Sequence, residues 1–378
     1  LLSVLGTCGD ELGHLLSKMP DDADRNNVLD ALVDLFLWNV EAGGIGVGRS
    51  AEQALRKHTT PAERGYAADW LREHLPDAPE ENSSQSISFR SVDFRSDWIR
   101  KSIGGLLLEL ERDRLDAEAY VDLCRRTGHW AQCAERLLAL DRTTDAVEAA
   151  RHLPDHQLDP ILDRLVANGD ADRALALVRE RLDTTAPSVT LQKWLYEHSR
   201  ETDDADSALS VAQQMFRERP SRAAYDRVKT AAKAVDGWPD VRSELFAFLD
   251  RTQRPPLQVR LHLHDQDANA ALDLVEPFAG DDRTTPFGVS LLTEVADAVR
   301  ETHPSAAIAL YEECAQRLIA DRGRSNYSTA ADLLAKTKTL YTQNDDLDTW
   351  QSFLDELYDD ELCRLPAARD EFEKANLL

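Results

Sequence analysis

The chain has 378 residues, 42% of them hydrophobic, 30% charged and 7% aromatic, a balance that suits a mostly helical protein. No apolar run approaches the roughly 20 residues needed to cross a bilayer, so no membrane span is expected. The net charge of −25, with 69 acidic against 44 basic residues, argues against a bare nucleic-acid-binding surface, because phosphate contacts need clustered Lys and Arg.

Asp outnumbers Glu 43 to 26 and Arg outnumbers Lys 35 to 9. That surface suits a high-salt cytoplasm, where charge repulsion is screened. The five cysteines, Cys8, Cys124, Cys133, Cys314 and Cys363, are odd in number, far apart and never paired as Cys-x-x-Cys. They point to a reduced, cytoplasmic setting with each thiol as a small buried hydrophobe, not to a disulfide framework or a zinc knuckle. The chain begins at Leu1 without a signal-peptide pattern, which reads as a piece of a longer protein.

Residues 1–75 read as an N-terminal helical subdomain of about four helices. The second covers 24–41, with Val28, Leu32, Leu35 and Val40 apolar. Ser50 with Gln53, and Thr60 with Pro61 and Glu63, both fit capping boxes, in which two side chains reciprocally satisfy orphan backbone amides. Between them and the second helix, Gly43, Gly44, Gly46, Gly48, Arg49 and Ser50 match phosphate-loop spacing except that Arg49 replaces the lysine. A phosphate loop follows a buried strand, whereas the residues before this one are helically periodic, so an interhelical loop is expected.

Residues 76–95 read as a linker, with Ile87, Phe89, Val92 and Phe94 spaced as a short irregular strand. From 96 to 378 the pattern is helical again, with helices at 98–112, 116–126 and 129–140 and Gly128 suited to a left-handed cap. The clearest signal is an internal repeat. Asp170, Ala171, Asp172, Arg173, Ala174 and Leu175 are echoed 34 residues later by Asp204, Ala205, Asp206, Ser207, Ala208 and Leu209. The helical stripe Ala171, Ala174, Leu175, Val178, Leu182 returns as Ala205, Ala208, Leu209, Ala212, Phe216, and Pro220 closes the second copy. This period and these small residues predict a tetratricopeptide-like hairpin.

Related stripes open at Ala146, Ala268, Pro304 and Tyr327, giving irregular steps of 25, 34, 63, 36 and 23 residues. The expected fold is therefore all-α, an α-solenoid of antiparallel helical hairpins with irregular repeats. Leu257, Val259, Leu261 and Leu263 alternate as a strand would, but Pro255 and Pro256 mark a helix start and the segment is assigned to a helix.

No chemistry-bearing constellation stands out. His262 and His264 fall on roughly opposite sides of a helix with no further ligand at chelating spacing, and the Asp345, Asp346, Asp348 cluster lacks the rest of a calcium loop. Neither a metal nor a cofactor is expected, nor an enzyme. The basic strings 95–101 and 322–324, with Lys336 and Lys338, are candidate partner contacts, above all Arg100, Lys101, Arg322, Arg324 and Tyr327. At the turn carrying the last three, Gly323 breaks a helix, Ser325 can cap the next, and the two arginines can offset a helix dipole or grip an anion.

Two stretches resemble the C-terminal helical region of SWIM zinc-finger proteins. One runs from Ser96-Asp97-Trp98 through Leu106 to Leu110, Leu123-Cys124-Arg125-Arg126-Thr127-Gly128-His129-Trp130 and 137–146. The other runs from Leu310-Tyr311 through Arg322-Gly323-Arg324-Ser325-Asn326-Tyr327 and 330–334 to Trp350, Phe353 and Leu354. The name-giving Cys-x-Cys and Cys-x-His pairs are absent, so the resemblance implies only the accessory helical region of such a protein. The expected work is that of a non-enzymatic scaffold offering a concave groove to a partner protein, or to a missing N-terminal part of its own polypeptide. The alternative is a nucleic-acid-associated accessory domain that uses local basic patches, any nucleic acid being indirect; no membrane is involved.

Overall fold

Apolar residues at helical spacing, broken every ten to twenty positions by Gly, Asp or Pro, dictate short helices that must bury one stripe each. The computed structural model describes residues 2–20, 23–44, 46, 48–77, 91–184, 188–278 and 286–378. Among them there are helices and no strand: the fold is all-α and solenoid-like. Contacts divide it into two compact units, residues 1–194 and 195–378.

The first unit holds α1 (Leu2–Lys18), α2 (Ala23–Glu41), α3 (Arg49–His58), α4 (Pro61–Glu73), α5 (Ser91–Leu110), α6 (Ala117–Thr127), α7 (Trp130–Ala139), α8 (Thr143–Ala150), α9 (Asp159–Ala167), α10 (Ala171–Thr184) and the start of α11 (Val189–Glu201). Helices α1 to α4 pack on one another, and α5 packs on α2, α3 and α4. Gly44 permits that approach, since a Cβ there would lie 2.5 Å from the Trp98 ring. The glycine loop follows helix α2, not a strand.

One side chain ties the bundle together. Arg25, 7% exposed, spends all five of its N–H donors: on both Glu63 oxygens, on the Leu16 carbonyl, on the Met19 carbonyl at 3.1 Å and on the His58 carbonyl at 2.8 Å. These carbonyls end α1 and α3, whose last turns lack intrahelical donors. Glu63 also completes the capping box of α4, accepting from the Thr60 amide at 2.6 Å while the Thr60 hydroxyl accepts from the Glu63 amide. Burial pushes the Glu63 carboxyl up, but Arg25 and Thr60 outweigh it and hold the group below its usual value.

The second unit holds the end of α11, then α12 (Ala205–Glu218), α13 (Arg222–Ala234), α14 (Trp238–Arg251), α15 (Pro255–His264), α16 (Ala268–Val275), α17 (Val289–Val299), α18 (Pro304–Ala320), α19 (Arg324–Gln343), α20 (Leu347–Asp360) and α21 (Pro366–Lys374). From α12 to α20 each helix packs on the next, and odd helices also touch odd ones: α13 on α15, α15 on α17, α19 on α21. The paired stripes are buried where their small residues require it, with Ala174 and Val178 at 0%, Ala208 at 1% and Ala212 at 0% exposure.

The strand-like 257–263 segment is helical, and its alternation has a cause. Leu257 and Leu261 belong to a core shared with α12, α13 and α14, whereas Val259 and Leu263 belong to a second core running on through α21. Each pair is four residues apart, and the two stripes lie on nearly opposite sides of one helix. A helix sandwiched between two cores thus reads as period two.

A single turn recurs between helices. One residue takes a left-handed φ and the next donates to the carbonyl five residues back: Asp141 with Arg142 to Leu137, Gly169 with Asp170 to Leu165, Asp203 with Asp204 to Ser199, Asp236 with Gly237 to Ala232, Gln253 with Arg254 to Leu249, Gln266 with Asp267 to His262, and Asp345 with Asp346 to Tyr341. This is the Schellman closure of orphan helix carbonyls. Gly128 serves the same way, at φ 75°.

Four expectations are corrected. Ser50 stands inside α3 behind Gly48 at the N-cap, so it forms no capping box with Gln53. Ser325 likewise stands inside α19, whose N-cap is Gly323. Val92 and Phe94 are helical in α5, because the helix starts upstream of them; Ile87 and Phe89 lie outside the described residues. Cys8 and Cys363 are exposed, while Cys124, Cys133 and Cys314 are buried.

Candidate functional site: grooves of the second unit

Among the described residues, three grooves of the second unit stand out. The first, about 450 Å³, lies between Arg200, Asp203 and Ala205 at the α11–α12 turn and Thr230, Ala231 and Ala234 of α13. Another, about 620 Å³, repeats the plan with Arg300, Glu301 and Pro304 at the α17–α18 turn against Lys336, Leu340 and Gln343 of α19. Both turns carry Arg-Glu-Thr, at 200–202 and 300–302. The threonines act alike, each hydroxyl donating back into its own helix, Thr202 to the His198 carbonyl at 2.9 Å and Thr302 to the Val299 carbonyl at 3.3 Å.

In the larger of this pair, Asp297 accepts from the Tyr311 hydroxyl at 2.6 Å and from Lys336 at 2.7 Å, and the lysine lies 5.3 Å from the Tyr311 ring centre. Burial pushes the Tyr311 phenol up and Asp297 adds to it, so the hydroxyl remains a donor. Burial raises the Asp297 carboxyl too, but its bonds to Lys336 and Tyr311 prevail and it stays ionised.

The third groove, about 690 Å³, is built from Arg222, which opens α13, from Leu257, Arg260, Leu263 and His264 of α15, and from Glu294 of α17. Behind it Asp265 gathers the Tyr225 hydroxyl at 2.5 Å, Lys229 at 2.6 Å and Arg242 at 3.1 Å. Arg242 also reaches Asp267 at 3.1 Å and lies over the Phe246 ring. Two cations thus balance two carboxylates, leaving α15 braced and the cluster neutral. His264 Nε2 lies 2.6 Å from Asp226, while burial and then Arg242 push His262 down, toward its neutral form.

The sequence-derived candidates are distributed otherwise. Arg100 is buried and held by Asp97 at 2.5 Å, with Lys101 on the same carboxylate at 2.9 Å. Arg324 pairs with Glu371 at 2.9 Å, Tyr327 is 5% exposed, and Arg322 is exposed at φ 55° in its turn. Arg100 and Lys101 belong to the first unit and Arg322, Arg324 and Tyr327 to the second. Lys338 donates to the Asn376 carbonyl at 2.9 Å, and Lys336 lines the second groove. Arg200, Arg222, Arg260 and Arg300 lie outside the sequence-derived candidates. The recurrence of Arg-Glu-Thr was the available signal for two of them; nothing local marked the others.

Among the described residues no group of His, Cys, Asp and Glu is placed to hold a metal ion. Burial pushes the Cys124 thiol to about 12 and the Cys314 thiol to about 11, which keeps both protonated at neutral pH. No known protein family matches the chain, and no characterised protein matches it.

Proposed function

We propose that the chain is a non-enzymatic, tetratricopeptide-like helical-repeat scaffold that docks a segment of a partner protein in the grooves of its second unit. The observation that carries this reading is the groove built twice on one plan, with Arg200 and Arg300 each opposite the C-terminal half of the next odd helix. Repeated, preformed clefts between hairpins suit side chains of an extended or helical ligand. The resemblance to SWIM zinc-finger proteins supports reading the chain as the accessory helical region of such a protein. A high-salt cytoplasm is the setting that the acidic composition suits.

The test is capture from extract on the immobilised chain, comparing the parent with an Arg200→Glu, Arg300→Glu double variant. A specific protein lost by the variant at unchanged melting temperature is the expected result. Equal capture by both would refute the groove reading. Capture abolished by nuclease treatment would move the assignment to the nucleic-acid-associated alternative.

A further inference from the structure

From the third groove we infer an acidic, amphipathic protein segment as its ligand; this rests on the scaffold reading and names the partner's chemistry. Helix α15 has four differently employed stripes. The 257/261 and 259/263 stripes enter the two cores, Gln258 and His262 contact α14 residues, and Arg260 and His264 line the groove. Leu257 and Leu263 are both only partly buried and give it an aliphatic floor. Such a floor, left open between two packed cores, favours leucine-like side chains at helical spacing.

The rim sets the sign. Arg222 and Arg260 are exposed and, among the described residues, face a single acidic lining residue, Glu294. Behind the groove Asp265 and Asp267 are matched by Lys229 and Arg242, and Asp226 is held against the His264 ring. The groove is therefore locally basic on a chain of net charge −25, and within about 10 Å at 0.1 M salt the local cations outweigh the screened remainder. Guanidinium groups grip carboxylates through paired donors, so Glu or Asp beside the apolar stripe is the complementary choice. A single-stranded nucleic acid fits less well. Among the described residues no Phe, Tyr or Trp lines the groove, and successive bases stack on such rings.

The experiment uses the whole chain and three fluorescent probes. One is a helix-forming peptide with Leu at helical spacing flanked by Glu, the second is the same peptide with Lys for Glu, and the third is a single-stranded oligonucleotide. Polarisation should show the Glu peptide binding to the parent and weakening by about tenfold or more in Arg222→Glu, Arg260→Glu. That variant should gain affinity for the Lys peptide, with an unchanged circular dichroism melt. If charge reversal unfolds the chain, the Arg222→Gln, Arg260→Gln pair should show the same loss in smaller measure. No binding of the Glu peptide, equal binding to the variants, or arginine-dependent preference for the oligonucleotide would each overturn the assignment. Partner capture that depends on Arg200 and Arg300 is read separately, so this proposal can fail while the scaffold reading stands.

Discussion

Replacing Arg25 by Met is the most informative perturbation of the first unit. The apolar stem is kept, but Glu63 is left as a carboxylate whose side chain is 8% exposed with no cation beside it. The carbonyls of Leu16, Met19 and His58 also lose their donor. Breaking one half of a buried ion pair costs about 3–5 kcal/mol. Arg25→Lys should fare only modestly better, because a single ammonium cannot reproduce the fork that spans two helix ends and a carboxylate. Adding Glu63→Gln to Arg25→Met removes the stranded charge yet keeps an acceptor for the Thr60 amide, so roughly 1–2 kcal/mol should return. Native-state hydrogen exchange of α1 to α4 reads these losses locally, without assuming that the two units unfold together. A single variant whose opening free energy stays within about 1 kcal/mol of the parent would refute the account.

The same pair predicts a pH dependence: because the folded Glu63 pKa lies below its unfolded value, the stabilisation is complete above the unfolded pKa and is lost as pH falls through the folded one. Protection in α1 to α4 should therefore drop on acidification in the parent, and that drop should shrink in Glu63→Gln. Ala174→Leu and Ala208→Leu each overpack a buried crossing and should cost about 1–3 kcal/mol in thermal melts; parent-like melting of both would show that the stripe is not a packing face. Gly169→Ala isolates backbone strain, because its φ is 87° and an added Cβ meets nothing within 4 Å; a loss of about 1 kcal/mol is expected, and none would mean the turn relaxes. Melting temperature should rise between 0.1 and 1 M salt as the screening length falls from about 10 to about 3 Å, and a flat or falling trend would count against self-repulsion.

Local chemistry was legible where it decides structure locally. Thr60, Pro61 and Glu63 form the capping box their order predicts, and Pro255-Pro256 starts the helix that alternation alone would have made a strand. Ser50 has the same grammar, but Gly48 starts the helix two residues earlier, so the pattern falls at the wrong position. What could not be read is what pairs residues distant in the chain. Arg25 meets Glu63 across 38 positions, and the third groove assembles α13, α15 and α17 residues whose only common property is their place in the stack. The basic strings show the converse: Arg100 and Lys101, neighbours in sequence, share one carboxylate, Asp97, a turn away.

The recurring left-handed turn also fixes what can vary in a chain of this kind. Because each turn closes through the same bonds, it sets the rotational phase at which the next helix begins. One residue inserted there would rotate the following helix by about 100° and carry its apolar stripe toward water. Helix length is free of that constraint at the end that leads into solvent, and the helices of the second unit run from 8 residues in α16 to 20 in α19. Where this turn recurs, as after α11, α13, α14, α15 and α19, the joint is constant and keeps phase, and the helices on either side are free to differ in length.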